Sequence, residues 1–61
     1  MKYNRANIED TLKVAKIMSG RDNKARYVFA TAGGFLIDRN PPPFAQPHYI
    51  VDRNNIEHRP T

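Results

Sequence analysis

Arg26-Tyr27-Val28-Phe29-Ala30-Thr31-Ala32-Gly33-Gly34-Phe35-Leu36-Ile37-Asp38 is the stretch from which the fold is read. Its first half is rich in β-branched and aromatic residues, which fit a pleated, half-buried surface and predict a strand. Gly33-Gly34 interrupts it. Glycine reaches positive φ at no steric cost, so the pair predicts a hairpin turn, and Phe35 to Asp38 the returning strand. With both glycines in the turn, Ala32 faces Phe35, Ala30 faces Ile37, and Val28 joins their side. Side chains alternate across a strand. The hairpin therefore has one apolar face, and a second face carrying Tyr27, Phe29, Thr31, Leu36 and Asp38. That second face is less polar than a solvated sheet requires.

Upstream, Ile8, Thr11, Leu12, Ala15 and Met18 recur at helical spacing. Asn7 is placed as N-cap, with Glu9 and Asp10 in the first turn, where carboxylates suit the positive helix end. Gly20 stands where a left-handed C-cap is needed, so the spacing predicts one helix over roughly Ile8 to Ser19. Downstream, Asn40-Pro41-Pro42-Pro43-Phe44-Ala45-Gln46-Pro47 cannot join a ladder, because proline lacks the N–H donor. It is expected to run extended and polyproline-like. His48 to Asp52 resumes strand character, Arg53-Asn54-Asn55 predicts a turn, and Ile56-Glu57-His58 a short fourth strand. The expectation is an α+β fold: one N-terminal helix packed on a three- to four-stranded antiparallel meander sheet, α-β-β-β, as a single small domain over 1–61. Its core is expected to be Ile8, Leu12, Ala15, Met18, Val28, Ala30, Ile37 and either Ile50 or Val51.

Composition narrows the function classes. A chain of 61 residues buries only about 60% of the surface its unfolded form exposes, so its stability is marginal. It has no cysteine and two histidines, which leaves no disulfide and argues against a structural zinc site. Close packing, self-association or a bound partner are the remaining supports for so small a core. The polar start lacks an apolar run behind it, and no stretch approaches the roughly 20 apolar residues of a membrane span. A cytoplasmic protein without membrane contact is expected. Ten Lys and Arg against six Asp and Glu give a net charge of +4, which favours acidic partners. The signs are nevertheless interspersed: Arg21 beside Asp22, Arg39 beside Asp38, Arg53 beside Asp52.

Catalytic chemistry is not legible. His48 and His58 are the only side chains with a near-neutral reference pKa, and no hydroxyl sits in an elbow motif. Glu9 and Asp10 are neighbours on a helix and point about 100° apart, so they cannot share a site. Gly33-Gly34 lacks the lysine and helix of a phosphate loop. The expectation is a non-enzymatic protein with no cofactor, metal or catalytic residue. Two binding readings stand. In the first, Tyr27, Phe29, Leu36 and Phe44 form an apolar contact surface for a protein partner, with Arg39 and Arg53 at its rim. The proline tract is then either displayed to an aromatic groove or a rigid connection with Phe44 tucked against the sheet. In the second, Arg21, Lys24 and Arg26 hold nucleic acid, with Tyr3, Tyr27, Phe29, Phe35 and Tyr49 as stacking rings and Asp22 and Asp38 opposing. A homodimer through a sheet edge is also expected, with Phe35 to Asp38 and His48 to Asp52 the segments most able to pair.

The stretch from Arg26 to Ile37, running into Pro41-Pro42-Pro43-Phe44, resembles the small uncharacterised accessory proteins of bacteriophages and prophages. The likeness lies in size, basicity and general style, without a diagnostic motif. It implies a stoichiometric regulator or inhibitor acting on a host or phage macromolecule, and it carries over no functional residue.

Overall fold

Helix α1 spans Ile8–Asp22, three residues beyond the expected end. The structure, a computed structural model, describes residues 8–60; the N-cap assigned to Asn7 lies outside them. The helix passes through Gly20 and stops at Asn23, whose φ is 57°. The Asn23 N–H donates to the Ser19 carbonyl at 2.8 Å, so the left-handed cap falls on asparagine, which tolerates it. Gly20 serves a different need. A Cβ there would stand 3.2 Å from Asn55 Nδ2, so the missing side chain lets a distant loop approach the helix.

Strands β1 (Arg26–Thr31) and β2 (Gly34–Asp38) form the expected hairpin. Its bend is Ala32-Gly33 rather than Gly33-Gly34, and the positive φ, 143°, belongs to Gly34 as it opens β2. Val28 consequently faces Ile37, and Ala30 faces Phe35. Against the expected pairing, the register moves by two. A slip of one would have exchanged the faces, whereas a slip of two preserves them.

Strand β3 (Tyr49–Val51) and the two-residue β4 (Glu57–His58) complete an antiparallel sheet of order β2-β1-β3-β4. The fold is α+β with the α-β-β-β order read from the sequence. The strand order corrects the meander: β3 pairs with β1, not with β2. The proline-rich connection after β2 must therefore carry the chain past β1. This places β1, the longest strand, between two ladders, where its backbone groups find partners in β2 on one side and in β3 on the other. It also places His48 to Asp52 inside the sheet, so of the two segments expected to pair with another chain only β2 is an edge. Nor is the proline segment uniformly extended. The Ala45 N–H donates to the Pro42 carbonyl at 3.0 Å, closing a tight turn with Pro43 in the position that its fixed φ favours.

The core is Leu12, Ala15, Val28 and Val51, with Ile8, Phe35, Ile37 and Tyr49 packed against it. Each large member contributes about 1.5–3 kcal/mol by leaving water. Val51 rather than Ile50 points to the helix, because Arg26 pairs with Val51 and Tyr27 with Ile50. Ala30, expected inside, is exposed beyond the end of β3, and Met18 is only half-buried. In its place the helix buries Ser19, whose hydroxyl donates to the Asp52 carbonyl at 2.9 Å. Asn55, at φ 69°, adds Nδ2 to the Lys16 carbonyl at 3.0 Å, and Lys16 Nζ lies 3.4 Å from Glu57. The β3–β4 loop is thus fastened to the second half of α1 by polar contacts, where apolar area is scarce. Among the described residues, no helix is long and apolar enough to cross a membrane.

Candidate interaction surface

The helix covers the face of the sheet that carries Val28, Phe35, Ile37, Tyr49 and Val51. Alternation turns Tyr27, Phe29, Leu36 and Ile50 to the other face, and the register sets Phe29 directly opposite Leu36 and Tyr27 opposite Ile50. Three of these side chains are half-buried, while Leu36 is 52% exposed. The expected residues Tyr27, Phe29 and Leu36 are therefore together on the face away from the helix. Ile50 belongs with them, and sequence reading missed it. In a meander it would not have neighboured Tyr27.

Over this face runs the crossing connection. Tyr27, Ile50, Pro41, Pro47 and Arg39 line an open cleft of about 290 Å³ between sheet and loop. Phe44 occupies the tip of the Pro42–Ala45 turn beside that cleft and is 83% exposed. It does not tuck against the sheet: the proline tract presents it. Arg39 is at the rim, its side chain 59% exposed, with a 3.7 Å contact to Asp22. Arg53 does not line the cleft; it stands beside Asn23 and Asn54 at the helix end of the molecule.

That end gathers positive charge. Antiparallel pairing brings the start of β1, the end of β2 and the end of β3 together, and with them Arg21, Lys24, Arg26, Arg39 and Arg53. Arg26 is already committed. It is buried, with Nη2 2.8 Å from Asp22 Oδ2 and Nη1 donating to Asp22 Oδ1 at 3.2 Å and to the Lys24 carbonyl at 3.0 Å. The Arg26 hydrogen bonds hold the Asp22 carboxyl below its ordinary value, aided by the Lys24 N–H and by the charges of Arg26 and Arg39. Arg21 and Lys24 are exposed. The rings proposed for stacking are divided between the two faces: Tyr27 and Phe29 on the open side, Phe35 and Tyr49 on the helix side. Tyr3 lies outside the described residues.

A second aromatic group sits at the opposite end of the sheet. His48 lies 6.2 Å from Phe35 and 5.0 Å, edge-on, from Tyr49, over whose face Arg59 Cζ stands at 5.7 Å. The other histidine, His58, approaches Asp52 Oδ2 at 2.7 Å. That contact, ahead of the Ile56 and Asn54 N–H groups, lowers the Asp52 carboxyl below its ordinary value. Among the described residues, no group of three or more histidine, aspartate or glutamate side chains is placed to hold a metal ion. No protein-family model matches the chain, and neither a curated protein nor a solved structure matches it.

Proposed function

We propose that this chain is a non-enzymatic accessory protein that works by stoichiometric binding to a protein partner, as a cytoplasmic regulator or inhibitor of the kind its phage-like style implies. The observation that carries the reading is the pairing of a sheet face that the helix leaves free, and that the proline connection covers only in part, with an exposed ring. Leu36, 52% exposed, and Phe44, 83% exposed, together offer a partner about 2–4 kcal/mol of burial, scaled by exposure from about 1.5–3 kcal/mol for a fully exposed large apolar side chain. Tyr27, Phe29 and Ile50 supply half-buried ground between them, and Arg39, loosely held by Asp22, supplies a charge at the rim. Such a patch, apolar at its centre and polar at its edge, matches the anatomy of protein interfaces. The net charge of +4 favours an acidic partner.

Nucleic-acid binding is supported by the basic end of the molecule, and less strongly. Arg26, one of its three candidate contacts, spends its donors on Asp22 and two carbonyls. Capture from lysate with and without nuclease separates the two readings. The protein reading expects one captured protein that survives nuclease and is lost by Leu36→Ser with Phe44→Ala, but not by Arg21→Ala with Lys24→Ala. The reverse pattern, with a log–log salt slope of about −3 or steeper, would replace it with nucleic-acid binding.

A further inference from the structure

Beyond that reading, and on different observations, we infer that the chain pairs with a second copy of itself through the outer edge of β2, antiparallel about a two-fold axis at Leu36. The first observation concerns where backbone groups point. His48 N–H donates to the Val28 carbonyl at 2.7 Å, so the polar groups of Val28 face β3. Alternate residues of a strand turn theirs the opposite way, so those of Tyr27, Phe29 and Thr31 face β2. Their register partners Asp38, Leu36 and Gly34 answer them. The N–H and C=O groups of Phe35 and Ile37 then point away from β1, and among the described residues no strand lies beyond. These four groups have no protein partner among the described residues.

The second observation is that this edge is lightly guarded, its one charged residue being Asp38 at the strand's end. The other edge, β4, is two residues long and charged. β2 is five residues, Gly34-Phe35-Leu36-Ile37-Asp38, without proline, lysine or bulge, and Leu36 stands exposed at its centre.

The third is self-complementarity. A two-fold at Leu36 sets Phe35 opposite Ile37 of the second copy, and Ile37 opposite its Phe35. In both pairs the outward backbone groups meet, and each such pair exchanges both of its hydrogen bonds. Leu36 meets Leu36 across the axis in the closer, non-bonded spacing. Asp38 meets Gly34, and Arg39 meets Gly33, so no like charges are opposed. Moving the axis to Ile37 would set Asp38 against Leu36 and Arg39 against Phe35. Moving it to Phe35 would spend Ile37 on the turn. The register at Leu36 is the one in which every outward group and every apolar side chain finds its like.

Sedimentation of the isolated protein tests this with no other macromolecule present, so its result is independent of the proposed partner. The wild type is expected at twice its 7.0 kDa at high micromolar concentration. Leu36→Lys and Leu36→Glu each oppose like charges at the axis on an exposed side chain, and each alone is expected to be a folded monomer. Their equimolar mixture is expected to recover the dimer, which a purely structural role for Leu36 does not produce. Chemical synthesis allows a finer probe: N-methylation of Phe35 removes an outward donor and should abolish the dimer with circular dichroism unchanged. A wild type that remains at 7.0 kDa, a charged variant that dimerises like the wild type, or a dimer that survives N-methyl-Phe35 each overturns the inference.

Discussion

Replacing Gly20 by alanine tests the least expected feature of the helix, the glycine two residues before its last. Glycine inside a helix is worse than alanine by about 0.5–1 kcal/mol, so Gly20→Ala ought to stabilise a free helix by that amount. Here the new Cβ would stand 3.2 Å from Asn55 Nδ2, tighter than ordinary van der Waals contact. The amide cannot withdraw without loosening its 3.0 Å bond to the Lys16 carbonyl. A hydrogen bond of this kind is worth about 0.5–1.5 kcal/mol net, and an exposed one lies toward the lower figure. The two terms nearly cancel, so Gly20→Ala alone should change stability by less than about 0.5 kcal/mol. Asn55→Gly removes the amide while retaining a residue suited to φ 69°. In that background Gly20→Ala should recover the full gain. The cycle therefore predicts a coupling of about 0.5–1 kcal/mol, or several degrees in Tm for a domain of this size. Urea and thermal denaturation followed by circular dichroism on the four proteins measure it. Additive effects, with Gly20→Ala equally stabilising in both backgrounds, would show that Asn55 does not rest on the helix.

Two further outcomes follow from single residues. Gly34→Ala forces an L side chain to φ 143° and should cost about 1–3 kcal/mol, whereas Gly33→Ala, with nothing within 4 Å of its Cβ, should be neutral or gain about 0.4–1 kcal/mol; equal losses in thermal unfolding would contradict the placement of the bend. Asp22, held below its ordinary 3.8 first by Arg26, contributes stability that is fully present above 3.8 and lost as pH falls through its folded value. Asp22→Asn should therefore lower stability at neutral pH and flatten the acid limb of the stability–pH curve, and an acid limb unchanged in urea titrations would refute the assignment.

What was legible in the sequence was legible through periodicity. The 3.6-residue recurrence of Ile8, Leu12 and Ala15 marks the buried stripe of α1, and alternation assigns Val28 and Ile37 to one face and Tyr27, Phe29 and Leu36 to the other. That assignment survived an error in register because the error was even. Strand order was not legible, since local signals say where strands begin and not which neighbour each chooses. The prolines between Asp38 and His48 forbid a ladder, but the same residues also span the distance needed to pass β1 and reach its far side. Arg26 was misread for a related reason. A basic residue beside a strand reads as surface, yet Asp22 four positions earlier, across a helix cap, neutralises it and lets it be buried. Gly20 and Asn23 exchanged roles because both suit a left-handed cap. Only the arrival of Asn55, thirty-five residues away in the chain by count from Gly20 to Asn55, separates them.

The crossing of β1 is the step from which the functional surfaces follow. By seating β3 on the inner side of β1, the chain brings Ile50 beside Tyr27 and lays the proline turn over the same face, which raises Phe44 into solvent. The same choice leaves β2 without an outer neighbour, whereas a meander would have paired it on both sides and exposed β1. Leu36 belongs to both results: its side chain stands on the face away from the helix and its strand is the open edge. Pairing two copies at Leu36 would set those faces side by side in one continuous sheet, with Phe29 and Leu36 of each copy meeting at the centre and the two proline turns flanking them. The proposed partner would then meet a two-fold symmetric apolar strip, rimmed by two copies of Arg39, in place of one small patch. For a 61-residue chain with four buried core side chains among its described residues, sharing that strip is also the most direct way to enlarge what is kept from water.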